Sequence, residues 1–103
     1  MIKKAIRMRL YPGYEKEYEI RHQQLWPEMR ELLTSAGVTN YAIFLDSETN
    51  ALFGYLEITD LNRWQAVGET EINRKWWDYM ADIMETNPDN SPVTVELNPV
   101  FQL

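Results

Sequence analysis

The chain has 103 residues, 45% of them hydrophobic and 25% charged, proportions that suit one globular domain over 1–103 and exclude wholesale disorder. Ten Lys and Arg stand against 16 acids, for a net charge of −6, so the cationic footprint of a nucleic-acid binder is lacking. With no cysteine, disulfides, thiol nucleophiles and thiolate metal sites are excluded; no apolar run approaches a bilayer span, and a cytoplasmic protein without a membrane partner is expected.

In chain order, Ile2, Lys4, Ile6, Met8 and Leu10 alternate with Lys3, Ala5, Arg7 and Arg9, the period of a half-buried strand. Arg7 and Arg9 also break the basic start in a way no signal peptide would. After "YPG" a helical stretch is expected from about Tyr14 to Ala36, with Gly37 as its left-handed terminator. Pro27 either ends or kinks that helix near Trp26, or opens a second one at its first position. "TNYAIFLDSETNALFGYLEI" (39–58) predicts two strands joined by "DSETN". Both of their faces carry apolar residues: Tyr41, Ile43 and Leu45 on one, Ala42 and Phe44 on the other. A short helix follows, capped by Thr59 or Asp60, and then a second from about Thr70 to Met84. "ETNPDNSPV" (85–93) is a loop, and "TVELNPVFQL" (94–103) a closing strand whose Pro99 suits an edge or a bulge.

The order β–α–β–β–α–β is the ferredoxin-like pattern of the α+β class. Helices cover one face of such a sheet, and the apolar second face predicts a homodimer that closes two sheets into an α/β barrel.

His22 is the only histidine. At about 100° per residue, Arg21, Tyr14, Leu25, Tyr18, His22 and Trp26 share an arc of roughly 140°, so His22 faces the sheet. An imidazole there is either a core group bonded to a carbonyl or a tyrosine, or a proton-transfer group of near-neutral pKa. Tyr18, one turn earlier, points a hydroxyl the same way, and spacing leaves both readings open. On the later helix, Ile72, Trp76, Tyr79 and Ile83 adjoin Trp77, Met80 and Met84 over roughly 160°. Periodicity favours simple packing for both tryptophans, although an indole can also wall a cavity and lie against a pyranose. Asn87, Asp89 and Asn90 are hydroxyl-binding types, but turn chemistry suits them equally. One histidine leaves a transition-metal site dependent on carboxylates with no pair spaced around it. Gly13, Gly37, Gly54 and Gly68 form no phosphate-binding loop. What remains is a cofactor-free pocket with aromatic walls.

"YEIRHQQLWPEM", "NYAIFLD", "RKWWDYM" and "NPDNSPV" fall in the order and spacing of the L-rhamnose mutarotases, which the chain resembles over nearly its whole length. The resemblance implies a dimeric α/β barrel and an isomerase of L-rhamnose that needs no cofactor or metal. It further implies a catalytic proton donor at His22 and sugar-binding positions at Tyr18, Tyr41, Trp76 and Trp77. Departures from the pattern, in "YPGYEKE" and "TDLNRWQAVGETEIN", touch none of these five and bear on oligomer contacts and fine specificity.

Mutarotation needs a proton taken from the anomeric hydroxyl and one given to the ring oxygen. His22 is expected to serve the ring oxygen; Tyr18, Asp89 or a water is expected to be the second carrier. Related barrels make a cofactor-free monooxygenase or lactone isomerase an alternative, because fold does not fix function. A sugar-binding barrel without catalysis is another.

Overall fold

A computed structural model describes residues 1–103. Strand β1 (Ile2–Arg9) is followed by helices α1 (Glu15–Gln23) and α2 (Pro27–Ser35), then by strands β2 (Val38–Asp46) and β3 (Ala51–Ile58). Helices α3 (Leu61–Val67) and α4 (Glu71–Met80) precede the short strand β4 (Val95–Leu97). The sheet runs β2-β3-β1-β4 with every pairing antiparallel, which is the ferredoxin-like arrangement. No helix is long and apolar enough to cross a membrane.

The alternation in β1 sorts its side chains as expected. Met8 and Leu10 are buried with Leu52 of β3 under Tyr18, Met29, Trp76 and Met80 of the helices, while Arg7 and Arg9 are exposed on the opposite face. Leu56 and Ile58 are wholly inaccessible. The other face keeps Phe44 67% exposed, with Phe53 and Val95 also open, so the sheet has two apolar faces and its own helices cover only one.

Pro27 opens a second helix rather than kinking a single one; its missing N–H costs nothing at the first helical position. Gly37, just past α2, has φ +91, and a Cβ there would lie 2.3 Å from Thr59 Oγ1. Only glycine makes that turn into β2, where the Gly37 carbonyl accepts from the Thr59 N–H at 3.0 Å. Asp60, rather than Thr59, caps α3 by accepting from the Arg63 N–H. Thr70 Oγ1 caps α4.

Two elements are shorter than the sequence pattern suggests. Helix α4 ends at Met80 instead of Met84, although Ile83 and Met84 are both buried. The chain leaves the helix to join the sheet edge: the Ile83 carbonyl accepts from the Tyr11 N–H and the Glu85 N–H donates to the Arg9 carbonyl. The Tyr79 carbonyl, freed at the helix end, is taken by the Arg21 guanidinium at 2.7 Å. The closing strand holds only three residues of the expected ten. It lies at the sheet edge, paired from Arg7↔Val95 to Ala5↔Leu97, and Pro99 has no N–H to carry the ladder further. Beyond it Val100, Phe101 and Leu103 are exposed.

Candidate active site

Helix α1 carries Tyr18 and His22 one turn apart, and their rings stack with centroids 4.2 Å apart at 27°. Trp76 of α4 meets the imidazole edge-on, 5.4 Å away at 89°. Trp76 is itself held by Trp26 (5.1 Å) and Tyr79 (5.6 Å). The imidazole is thus fixed between a phenol and an indole, and its orientation is set by packing.

Arg21, the residue before His22, locks α1 against the end of α4. Its guanidinium donates to Asp82 Oδ1 at 2.9 Å and Oδ2 at 3.3 Å, and Nε donates to Glu17 Oε1 at 2.9 Å. It also lies 4.4 Å over the Tyr79 ring, a cation–π contact that spends the charge away from His22. The hydrogen bond from Arg21 holds the Asp82 carboxyl below the usual carboxylate range.

Between the helices and the sheet lies a cavity of about 1240 Å³, and Tyr18, His22, Tyr41, Trp76 and Trp77 all line it. Simple packing, which periodicity favours for both tryptophans, describes only part of what they do. Trp76, 8% exposed, packs in the core and borders the cavity as well. Trp77 is half-buried and rests against the end of α3, where a Cβ on Gly68 would come within 3.2 Å of its Cη2. The missing side chain at Gly68 therefore gives the indole its seat.

Tyr14 sits at the start of α1, exposed, and does not join the sheet-facing arc. Asn87, Asp89 and Asn90 lie outside the cavity lining. Asn87 and Asp89 are used within the turn, where Asn87 Nδ2 donates to Ser91 Oγ and Asp89 Oδ1 accepts from the Ser91 N–H, while Asn90 Nδ2 ties the turn to α4 by donating to Asp78 Oδ1. Asp89 is thereby removed as second proton carrier. Trp64 of α3 was not singled out by the sequence reading, yet it lines the cavity edge-on to Tyr41 at 6.2 Å. The available signal was the spacing of Trp64 and Val67, the inward-facing pair of a seven-residue helix.

Electrostatics divide the roles. Burial pushes the Tyr18 phenol well above its ordinary range, helped by nearby Tyr41, and pushes Tyr41 up to about 12. Both are neutral hydroxyls at pH 7, able to donate and accept hydrogen bonds but not to act as bases. Burial lowers the pKa of His22, an effect partly offset by the bond between Nδ1 and the Tyr18 carbonyl. The site therefore holds a neutral imidazole, two neutral phenols and two indoles. No group of three or more His, Asp or Glu side chains is placed to hold a metal ion.

The family model for L-rhamnose mutarotase matches residues 3–103. The L-rhamnose mutarotase of Lachnoclostridium phytofermentans is 58% identical over all of this chain and 99% of its own length. That of Enterococcus faecalis is also 58% identical, over the whole of both chains. The crystal structure of the L-rhamnose mutarotase of Formosa agariphila superposes with a TM-score of 0.92 at 45% identity, covering 100% of this chain and 99% of that one. A putative antibiotic biosynthesis monooxygenase of Bordetella bronchiseptica shares the fold alone, with a TM-score of 0.69 at 14% identity over 96% of each chain. Matched from end to end by the family model and by relatives of this identity, the chain belongs to the L-rhamnose mutarotase family.

Proposed function

We propose that the protein interconverts the α and β anomers of L-rhamnopyranose, with His22 moving the proton and Tyr18, Tyr41, Trp76 and Trp77 holding the sugar. The observation that carries this reading is the convergence of these five side chains on one cavity. The two neutral phenols suit hydroxyl groups, and the indoles suit the C–H face and 6-methyl group of a deoxy sugar. Ring opening moves no electrons to or from a redox partner, so the reaction calls for no cofactor. Saturation-transfer NMR between the two anomeric proton signals of L-rhamnose tests the reading. With the native protein, exchange should rise well above the buffer rate and scale with enzyme concentration. Exchange no faster than buffer at saturating sugar would overturn it.

The protein works as a cytoplasmic homodimer in this reading. Phe44, Phe53 and Val95 on the uncovered sheet face, with Val100 and Phe101 beyond β4, supply the apolar surface that a second copy would bury. Sedimentation at micromolar concentration should give about 25 kDa, twice the chain mass of 12.3 kDa. A monomer would remove the closed barrel.

A further inference from the structure

We propose that His22 shuttles both protons of the reaction with one nitrogen, Nε2 taking the proton of the anomeric hydroxyl and returning it to the ring oxygen. This rests on the preceding assignment of His22 as the catalytic group and adds that no second proton carrier takes part.

The argument begins with the other nitrogen. His22 Nδ1 lies 3.0 Å from the Tyr18 backbone carbonyl. A carbonyl oxygen only accepts, so Nδ1 carries the hydrogen and donates it. In the neutral ring Nε2 then has a bare lone pair. Nε2 makes no hydrogen bond within the chain, and no buried side-chain nitrogen or oxygen is left without a partner, so Nε2 is open to the cavity that His22 lines. The ring cannot swivel freely to exchange the two nitrogens, because Tyr18 stacks on it and Trp76 meets its edge. The cavity is thus offered an acceptor, and the first step available to it is to take a proton.

The rest of the lining supplies no buried base. Tyr18 and Tyr41 stay protonated. The charged residues bordering the cavity are Lys4, Glu15, Lys16, Glu19, Arg30 and Glu96. Glu15, Glu19 and Glu96 are exposed, and Glu96 is paired with Lys4 and Glu19 with Lys16. Arg21 is engaged by Glu17 and Asp82.

Sugar geometry lets one nitrogen suffice. The anomeric oxygen O1 and the ring oxygen O5 are both bonded to C1, closer together than the two partners of a hydrogen bond. Nε2 accepts the O1 proton as the O1 lone pair forms the C1=O1 bond and the C1–O5 bond breaks. The electron pair leaves on O5, which takes the same proton from Nε2. After rotation about C1–C2 the steps reverse: Nε2 accepts the O5 proton, O5 attacks the other face of the aldehyde, and O1 regains the proton. The imidazole ends as it began.

Because His22 is the only histidine, 15N-labelled imidazole gives one unambiguous pair of signals. A two-bond 1H–15N correlation on the sugar-free protein at pH 7 should show a protonated Nδ1 and a bare Nε2. In the same titration, saturation-transfer exchange should hold level through neutrality and fall about tenfold per pH unit below the imidazole pKa, itself below 6.5. Changing Glu15→Gln, Glu19→Gln and Glu96→Gln one at a time should leave the rate within about twofold. An Nε2–H tautomer, a rate that climbs as the ring protonates, or a tenfold loss in any carboxylate variant would overturn the shuttle. Absent exchange in the native protein overturns both this and the proposed function, whereas exchange with the wrong tautomer overturns the shuttle alone.

Discussion

His22→Ala is expected to lower the enzyme-dependent rate of anomer exchange by about 10²–10⁴-fold, the usual worth of general acid–base help, while sugar affinity changes by less than about threefold. The split follows from where the groups sit. Tyr18, Tyr41, Trp76 and Trp77 border the cavity from three elements, α1, β2 and α4, and only Tyr18 and Trp76 have aromatic contacts with the imidazole. Removing the half-buried ring takes away a stacking face and an edge contact, a loss on the order of 1 kcal/mol. That difference narrows as pH falls, because the native protein loses stability that the variant never had. Burial holds the folded pKa of His22 below 6.5, so the neutral ring's contribution is fully present above pH 6.5 and is withdrawn as pH drops below it. Native protein and variant should therefore converge in stability on the acid side, as denaturant midpoints at pH 7.5 and pH 5 would record. Added free imidazole should restore part of the exchange rate in the variant, since it can occupy the vacated space. Saturation-transfer NMR reads the rate and line-shape titration reads the affinity. A variant that still exchanges at the native rate would leave the mutarotase reading in place and move the proton chemistry away from α1.

How much of this arrangement could be read in the sequence depends on whether local chemistry or long-range pairing decided each feature. The strand β1, the turn at Gly37 and the start of α4 near Thr70 are settled within a few residues, and the pattern located all three; at Pro27 it placed the break but left open whether a second helix begins there. The end of α4 is different. Ile83 and Met84 continue the apolar stripe of the helix, so periodicity extends it to Met84, but their burial is achieved on a turn that pairs with Tyr11 and Arg9. Those hydrogen bonds lie some seventy residues away in sequence, beyond any window. The three-residue β4 has the same cause, since its length is set by what β1 offers and by Pro99. In the site, the helical arc through Tyr18 and His22 located the imidazole correctly, although Trp26, counted in the same arc, lies past the end of α1. It could not reveal that Trp76 would lie against it, nor that the hydrogen bond of Nδ1 is made to the backbone of the same helix. The expectation of sugar-binding positions at Tyr41 and the double tryptophan came from family resemblance, because bringing β2 and α4 to one cavity depends on the tertiary fold.

The adjacent tryptophans should part company when each is replaced. Trp76→Ala removes a ring that is 8% exposed and touches His22, Trp26 and Tyr79; such a deletion costs about 3–5 kcal/mol. Against a total stability of about 5–15 kcal/mol for a domain, that is enough to unfold a sizeable fraction of the molecules near body temperature. Whatever remains folded has an imidazole without its edge contact, so the rate per folded molecule falls as well. Trp76→Phe keeps an aromatic edge and removes the indole N–H, and it should recover most of the stability. Trp77 is half-buried at the cavity wall beside Gly68, so Trp77→Ala should cost about 1–2 kcal/mol. Its main effect should be a KM for L-rhamnose raised about tenfold or more, with kcat little changed, as expected for a ring that grips substrate and transition state alike. Denaturant unfolding and saturation kinetics on the three variants separate the two positions. If Trp77→Ala destabilised the protein as strongly as Trp76→Ala and left KM unchanged, Trp77 would be a packing residue, and the sugar's apolar face would have to rest on Trp76 alone.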